Sequence, residues 1–466
     1  MLNRREFLER SLKGSSLIAL GSSVPGFLAS AARAAPASKD DTILVVIELN
    51  GGNDGLNTVI PFGDDLYHKA RPTLRYKNEE LIKVDDHLGL NPALASFERY
   101  FGNGQLAVVQ GVGYPNPNRS HFDSMDIWQS ADLTGKKLGN GWLGRTLNAA
   151  KVSEGAIPGV YLGAEELPLA LQGSAQGIAS VHPNKSFDLH LGNRLVERVY
   201  SPEEKVPTEE KPRAEDKRVE RRRQLIQELT RETPAADNLL PFVQRSALQT
   251  YSSIDKLRDL VQLNDNAFRF RNEVARRRGE LARNLGLVAR MIQSGFNTRI
   301  FYVSIGSFDT HSKQKSEHEK LLRILAEGIA TFFNQLDPEL PGVVYTNYGQ
   351  EEDRFFYESR TASASKEDKD LAQRVVVLTF SEFGRRVDEN GSLGTDHGAA
   401  SCLFLAGPKV KGGVVGKHPS LSDLGDGDLK YHTDFRQVYA TLLDKWLHCD
   451  SQAVLGGKFA HLPLLK

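Results

Sequence analysis

Five short clusters of carboxylate, imidazole, hydroxyl and guanidinium side chains stand out in the sequence. They are Asn53-Asp54, Asn118-Arg119-Ser120-His121, Phe308-Asp309-Thr310-His311, Ser381-Glu382-Phe383-Gly384-Arg385-Arg386 and Gly394-Thr395-Asp396-His397-Gly398. Rigidly held carboxylates and imidazoles bind divalent cations and support ester chemistry. Each cluster alone is also compatible with an ordinary polar turn or helix start. Together the five clusters predict a metal-assisted active site.

The residue types suggest different roles within this predicted site. Ser120 precedes a segment with apolar residues at helical spacing, so it fits an N-cap, and beside a metal its hydroxyl would also be an activated nucleophile. His121 is a second catalytic candidate, and Arg385 is expected to steady developing negative charge. The predicted metal ligands are Asp54, Asp309, His311, Glu382, Asp396 and His397.

Most of these clusters follow short runs of apolar, largely β-branched residues. The runs cover residues 42–49, 106–111, 299–304, 375–380 and 402–406. Continuous apolar runs indicate strands buried on both faces of a sheet. Helical patterns over residues 316–336 and 434–447 lie between or after them. The alternation predicts an α/β three-layer sandwich with a mostly parallel central sheet, whose ligands bind beyond the strand ends.

One region departs from this alternation. Residues 201–232 are dense in Glu, Lys and Arg and contain three prolines, and helical spacing continues to residue 294. We interpret residues 201–294, approximately, as a charged helical insertion within a single domain that spans residues 40–466. The charge run itself is typical of a solvated face rather than a binding site.

The N-terminal segment has the pattern of an export signal. Arg4-Arg5 is followed by Phe7-Leu8, a mildly apolar run over residues 15–30 and the small-residue motif Ala32-Arg33-Ala34. This pattern predicts a twin-arginine signal over residues 1–34, a periplasmic or otherwise exported product, and the twin-arginine translocase as a partner during export. An ordinary Sec signal or an uncleaved anchor is the alternative.

Composition narrows the class of protein. The chain has 466 residues, 40% hydrophobic and 25% charged, with a formal net charge of zero. These values are typical of a globular protein and predict no electrostatic attraction to nucleic acid. Beyond the signal, no stretch is long and apolar enough to predict a membrane span. Cys402 and Cys449, the two cysteines, are compatible with one disulfide, and the sequence leaves their pairing open.

The ordered set of motifs resembles a known family. In addition to the clusters above, the match includes Gly51-Gly52-Asn53-Asp54-Gly55-Leu56-Asn57 and Thr433-Asp434-Phe435-Arg436. The chain is identified by these motifs as a member of domain-of-unknown-function family 1501, a twin-arginine-exported family, and the resemblance covers nearly all of the mature chain. It implies a fold similar to the alkaline phosphatase and sulfatase superfamily, whose members hold one or two metal ions beside a nucleophile at a helix N-terminus.

By that analogy, Asp54, Ser120 and Glu382 would serve one metal position. A second position would use Asp309, His311 and His397, with Asp396 as a further candidate. The sequence departs from the superfamily at Phe383, where related phosphatases carry a ligating histidine. The departure implies that one site is weakened, single or lost, or that His121 substitutes.

The expected function is therefore an exported metal-dependent hydrolase of small-molecule or polymer phospho- or sulfo-esters. The cofactor would be one or more divalent ions, with Zn, Mn, Ca and Mg all compatible with the ligand types. The alternative is a non-catalytic envelope or binding protein on the same scaffold. Convergence of the predicted ligands on one centre distinguishes the two.

Overall fold

The computed structural model describes the chain in several separate ranges. The described residues are 42–134, 140–150, 158–163, 166–175, 177–181, 186–191, 194–200, 268–269, 279–342, 356–357 and 369–466. The predicted signal, 1–34, and most of the predicted insertion, 201–267, lie outside them.

Strands form where the apolar runs occur. The strands are β1 (Ile43–Leu49), β2 (Val59–Ile60), β3 (Ile82–Lys83), β4 (Gly89–Leu90), β5 (Leu106–Gly113), β6 (Gly159–Leu162), β7 (Gly177–Val181), β8 (Ser186–Leu191), β9 (Arg194–Tyr200), β10 (Phe268–Arg269), β11 (Ile300–Ile305), β12 (Phe356–Tyr357), β13 (Val375–Phe380), β14 (Ser401–Ala406), β15 (Gly413–Val415), β16 (Leu424–Gly425), β17 (Asp428–Leu429) and β18 (Thr433–Asp434). The five predicted strands correspond to β1, β5, β11, β13 and β14.

Helices occupy the connections between strands. They are α1 (Asp65–Ala70), α2 (Ala95–Gly102), α3 (His121–Ser130), α4 (Trp142–Ala149), α5 (Glu280–Gln293), α6 (Gln314–Leu336), α7 (Lys369–Ala372), α8 (Phe435–Leu442) and α9 (Ser451–Leu455). A π-helical turn, Leu443–Leu447, continues α8, so the segment predicted at 434–447 is helical with a change of hydrogen-bonding pattern. Within the described residues, no helix is long and apolar enough to cross a membrane.

The main sheet is large and mixed, with a parallel centre. Its strand order is β15-β5-β14-β13-β1-β11-β6-β7-β8-β9, and β18 also pairs with β5. Strands β13, β1, β11, β6 and β7 are parallel to one another. Strand β14 is antiparallel to both β13 and β5, and the strands β8 and β9 at the far edge are antiparallel as well. The predicted α/β class with a mostly parallel sheet is confirmed.

Two hydrophobic cores cover the two faces of this sheet, which explains the unbroken apolar runs. In β1, Ile43, Val45 and Ile47 belong to one core, which includes residues of α2, α5 and α6. Leu44 and Val46 belong to the other, which includes residues of α3, α4 and α8. A strand buried on both faces requires apolar side chains at consecutive positions, not at alternate ones.

The C-terminal end of the predicted insertion lies partly within the described residues. Residues 266–294 were expected to be helical, but Phe268–Arg269 pairs as a short strand with Phe356–Tyr357. Helix α5 begins at Glu280, packs against α6 and contributes Leu285 and Val288 to the core. This part of the chain therefore belongs to the layer that covers one face of the sheet.

Strand direction brings the predicted site residues to one edge. Because β1, β5, β11 and β13 run in the same direction, their carboxyl ends share an edge of the sheet. The amino end of antiparallel β14 lies at this edge too, so the loop that precedes β14 joins the loops that follow the other strands.

Candidate metal centre

Four polar side chains meet at this edge. Asp309 and His311 follow β11, His397 lies in the loop before β14, and His121 is the first residue of α3. One ligand-type atom from each of His121, Asp309 and His397 lies within 4.8 Å of the others. We refer to His121, Asp309, His311 and His397 as the histidine cluster.

The imidazoles of the cluster turn their Nε2 atoms toward Asp309. The Nε2 atoms of His311 and His397 lie 2.9 Å apart. They lie 3.0 and 3.1 Å from Asp309 Oδ1, respectively. His121 Nε2 lies 3.6 Å from Asp309 Oδ2, which makes it the loosest member.

The other ring nitrogen of each imidazole is held by an oxygen. The Nδ1 of His397 donates to the carbonyl oxygen of Arg119 at 2.9 Å. The Nδ1 of His311 lies 3.2 Å from Asp396 Oδ1, and the Nδ1 of His121 lies 2.7 Å from Glu382 Oε1. An oxygen partner on Nδ1 fixes the proton there and leaves Nε2 as a lone-pair donor, the arrangement found around metal-bound histidines.

Glu382, a predicted metal ligand, is hydrogen-bonded to His121 in the structure. Glu382 is fully buried, and its Oε1 accepts from the Gly51 amide at 2.8 Å as well as from His121. Its Oε2 accepts from the Ser381 hydroxyl. The hydrogen bond with this carboxylate raises the pKa of His121, against the effect of partial burial. Both oxygens are occupied, so Glu382 orients His121.

Arg385 also differs from its predicted role. It is 1% exposed, and its guanidinium donates to the carbonyls of Gly51, Gly52 and Thr395 and to Asp309 Oδ1. Burial is the largest single influence on Asp309 and opposes its ionisation, but the hydrogen bond and charge of Arg385 together with the neighbouring imidazoles bring the pKa of Asp309 below its usual value. Arg385 therefore holds Asp309 in position, with most of its donors engaged by the protein itself.

Asp396 likewise supports an imidazole in the structure. Its Oδ1 accepts from Asn390 at 3.1 Å and from His311. The Asn390 hydrogen bond, followed by that of His311, lowers the pKa of the Asp396 carboxyl. An ionised Asp396 is the acceptor that keeps the proton of His311 on Nδ1, so Asp396 contacts the side of this imidazole that faces away from Asp309.

Asp54, a predicted metal ligand, is engaged by other protein groups in the structure. Asp54 is completely buried and forms a salt bridge with buried Arg71 at 2.6 Å. Its Oδ2 also accepts from Gln314, and its Oδ1 from the Asn57 amide. Burial alone would raise the pKa of Asp54, but the charge of Arg71 lowers it. Asp54 is thus committed to an internal ion pair.

Ser120 is the N-cap of α3, as its position in the sequence predicts. Its side chain accepts a long hydrogen bond of 3.4 Å from the Asp123 amide. The hydroxyl is next in sequence to His121 and to the Arg119 carbonyl that holds His397. Ser124, one turn further on, is buried and donates to the carbonyl of Glu382, so it is part of the packing.

An aromatic side chain packs against the cluster from inside. Phe383 is buried, and its ring centroid lies 4.9 Å from that of His121 and 4.8 Å from that of His397. Gly52, at φ 84°, leaves room for this ring, because a side chain there would collide with Phe383. The residue that departs from the phosphatase pattern therefore restrains two imidazoles, and His121 lies beside it.

The cluster is open to solvent on its other side. The side chains of Asp309 and His311 are 45% and 44% exposed. Structural metal sites are usually closed by protein ligands, whereas catalytic ones leave a position for water or substrate. The accessibility of this cluster fits the second kind.

Sequence reasoning missed several residues that position the cluster. Asn390 was not singled out, although it holds both the His311 carbonyl and Asp396. An asparagine followed by Gly391 and Gly394 in the loop before His397 was the available signal. Arg71 and the buried His318, which contacts Asn53 Oδ1 at 2.9 Å, carried no local signal, because their partners are distant in the sequence.

The comparison with protein families agrees with these motifs. Residues 41–340 and 367–459 match the model of a family described as protein of unknown function (DUF1501). The chain belongs to this family. The matched ranges include every member of the histidine cluster, together with Glu382, Arg385 and Asp396, which support it. No curated protein matches the chain.

Proposed function

We propose that this DUF1501 protein is a metal-dependent hydrolase of phospho- or sulfo-esters on a scaffold similar to alkaline phosphatases and sulfatases. The observation that carries the proposal is the convergence of three imidazole Nε2 atoms on Asp309, each imidazole having its Nδ1 atom on an oxygen. A bound cation would accept the lone pairs that these Nε2 atoms direct toward one another. Of the six predicted ligands, Asp309, His311 and His397 meet in this way, and this partial convergence supports the enzyme over the non-catalytic alternative.

The donor chemistry of the cluster fits a divalent metal ion. His311, His397 and Asp309 would hold it, and His121 is placed either to complete the ligand set or to act as a base. Three imidazoles with one carboxylate suit Zn²⁺ or Mn²⁺ better than Ca²⁺ or Mg²⁺, which prefer oxygen ligands. When bound, such an ion supplies Lewis-acid polarisation of an ester oxygen and lowers the pKa of a bound water.

The protein itself supplies the features that favour an anionic ester. The N-terminus of the ten-residue helix α3 lies at the cluster, where its dipole and free amides favour negative charge. Ser120 stands at that terminus as the candidate nucleophile. Arg385 keeps Asp309 ionised and in place. Glu382 holds the imidazole of His121 in its orientation through Nδ1.

Metal content is the first test. We expect protein purified from its native compartment to carry a stoichiometric transition-metal ion by mass spectrometry, and Asp309→Asn and His397→Ala to lose it. His87→Gln, which changes an exposed histidine outside the cluster, is the matched control. Equal metal content in all three variants, or none in the wild type together with no Zn²⁺ binding by calorimetry, would contradict the proposal.

The role of Ser120 needs a variant that separates capping from chemistry. Ser120→Asn retains a good N-cap but has no nucleophilic hydroxyl, whereas Ser120→Ala loses both functions. With para-nitrophenyl phosphate, bis(para-nitrophenyl) phosphate and para-nitrophenyl sulfate as probes, we expect both variants to lose turnover while keeping the metal. Full activity of Ser120→Asn would assign Ser120 to capping alone and leave water as the nucleophile.

The proposal also includes export of the folded protein through the twin-arginine route. A protein that acquires its metal while folding in the cytoplasm benefits from a route that carries folded chains, and Arg4-Arg5 with Phe7-Leu8 supports that route. Changing both arginines to lysine should abolish export of a reporter fusion. Continued export, or full metal loading after redirection to the Sec route, would contradict this part of the proposal.

A further inference from the structure

One imidazole of the histidine cluster is held by the main chain and not by a carboxylate. His397 Nδ1 donates to the carbonyl oxygen of Arg119 at 2.9 Å, whereas Glu382 and Asp396 hold the other two imidazoles. A backbone carbonyl has no rotamer of its own, so its direction depends on how firmly the backbone is fixed there. The orientation of His397 therefore depends on the contacts of Arg119.

The segment that contains this carbonyl, residues 114–120, connects β5 with α3 and forms neither helix nor strand. Within it, the Asn118 amide donates to the hydroxyl of Tyr114 at 3.0 Å, and the Ser120 amide donates to Asn118 Oδ1 at 2.7 Å. Both acceptors belong to the segment itself. These bonds therefore shape the segment without fixing it against the loop of His397.

The side chain of Arg119 attaches the segment to another part of the chain. Its Nε and Nη2 donate to Asp428 Oδ2 at 2.8 and 2.5 Å, respectively. Asp428 lies in β17, and its side chain is only 3% exposed. Charge-assisted hydrogen bonds are stronger than neutral ones, and a closely packed acceptor has little freedom to move. Arg119 is thus tied to the hairpin of β16 and β17.

The same hairpin also contacts the loop of His397. Leu429, which follows Asp428 in β17, accepts through its carbonyl oxygen from the Ala400 amide at 3.4 Å. Ala400 directly precedes β14 and belongs to the loop that carries His397. Strand β17 therefore contacts the segments of both partners in the hydrogen bond between His397 and Arg119, one through a side chain and the other through its backbone.

We infer that the ion pair of Arg119 and Asp428 positions His397 for metal binding, an assignment that rests on the proposed function. Both residues act on the imidazole through the Arg119 carbonyl, so they are positioning residues. While the carbonyl is fixed, the Nδ1 proton of His397 has a stationary acceptor, and Nε2 stays directed at Asp309. Without the ion pair the carbonyl would move with its segment, and the imidazole would lose part of its orientation.

A second guanidinium near Asp428 offers a different route to the cluster. Arg386 Nε lies 3.9 Å from Asp428 Oδ1, and the Arg386 amide donates to the Asp396 carbonyl at 3.0 Å. Asp396 holds the imidazole of His311, so this route would affect that imidazole first. A separation of 3.9 Å is beyond hydrogen-bond distance, whereas Arg119 makes two hydrogen bonds to Asp428, so the route through Arg119 is favoured.

Zinc binding by the full mature chain tests the inference, with Asp428→Asn and Arg119→Met as the variants that break the pair. We expect the affinity measured by competition with a chelator to fall about tenfold in each, the lower end of the range for residues behind a ligand. The double variant should bind zinc as weakly as each single variant, because the two residues act as one unit. Losses that add in the double variant would contradict the shared role.

Nuclear magnetic resonance of the zinc-loaded protein separates positioning from a general loss of stability. We expect the Nδ1 proton of His397 to exchange faster with solvent in Asp428→Asn, while that of His311, which is held by Asp396, keeps its rate. Equal changes at both imidazoles would indicate loosening of the whole site, and a change at His311 alone would indicate the route through Arg386. Either result would overturn the inference.

Asp426→Asn is the matched control. Asp426 also pairs with Arg119, at 3.0 Å, but its side chain is 83% exposed. We expect this variant to keep the zinc affinity of the wild type, with circular dichroism confirming that all variants fold. Wild-type affinity in Asp428→Asn as well would overturn the inference and leave the proposed function intact. Zinc binding that depends on Asp428, without ester turnover, would refute the proposed hydrolase alone, and a wild type that binds no zinc would refute both.

Discussion

His311 and His397 face each other through their Nε2 atoms at 2.9 Å, with Asp309 Oδ1 beside both. Since the Nδ1 protons of both rings are committed to oxygens, two lone pairs meet at this point. A metal ion bound there would accept both lone pairs. Because imidazole ligates a metal through a deprotonated nitrogen, we expect the apparent metal affinity to increase with pH.

Glu382→Gln tests the assignment of Glu382 as a supporting residue. The variant retains an acceptor for the Gly51 amide but weakens the contact with His121 Nδ1. We expect the metal affinity measured by competition with a chelator to fall by roughly 10–100-fold, the range typical of residues behind a ligand. Complete loss of metal would instead show that Glu382 is a ligand, as the sequence suggested.

Arg385→Lys removes the guanidinium fork that joins Asp309 to four backbone carbonyls. A lysine ammonium cannot span these acceptors, so buried carbonyls would be left unpaired at a cost of about 1–3 kcal/mol each. We expect a lower free energy of unfolding in urea together with weaker metal binding. Arg386→Lys, at a neighbouring arginine with a 35% exposed side chain, serves as the control and should change little.

Asp54→Asn separates folding from metal binding. The substitution leaves Arg71 buried without its counter-charge, and we expect the free energy of unfolding to fall by about 3–5 kcal/mol. Metal content of the folded variant should remain that of the wild type. Replacing both partners, as Asp54→Leu with Arg71→Met, should recover part of the stability. Metal loss without a loss of stability would restore Asp54 as a ligand.

His318 should make stability depend on pH. Burial lowers its pKa from 6.5 to about 4, so the folded chain resists a proton that the unfolded chain binds. The stability is complete above pH 6.5 and is lost as the pH falls from 6.5 toward about 4, by about 3 kcal/mol at most. Urea unfolding at several pH values should show a shallower loss in His318→Gln, and an identical slope in both proteins would refute this origin.

The strands were predictable because the residue types within each strand indicate that it is buried on both faces. Strand β1 contributes alternate residues to two cores, so its sequence is apolar at every position except Glu48, and β13 is likewise apolar except at Thr379. The cap at Ser120 and the long helix α6 are also local features. The direction of each strand was not predictable from local features. Only the sheet shows that β14 is antiparallel to β13, and this direction places the loop containing His397 at the carboxyl ends of β1, β11 and β13.

The sequence by itself determined which residue types stand at the strand ends, and therefore that an acid and imidazole centre was to be expected. Tertiary structure decided which of them face one another. Asp54 and Asp309 both follow predicted strands, yet burial beside Arg71 commits the first to an ion pair, while Arg385 presents the second to three imidazoles. The physical reason is that burial and charge pairing depend on residues up to several hundred positions apart, which no local pattern records.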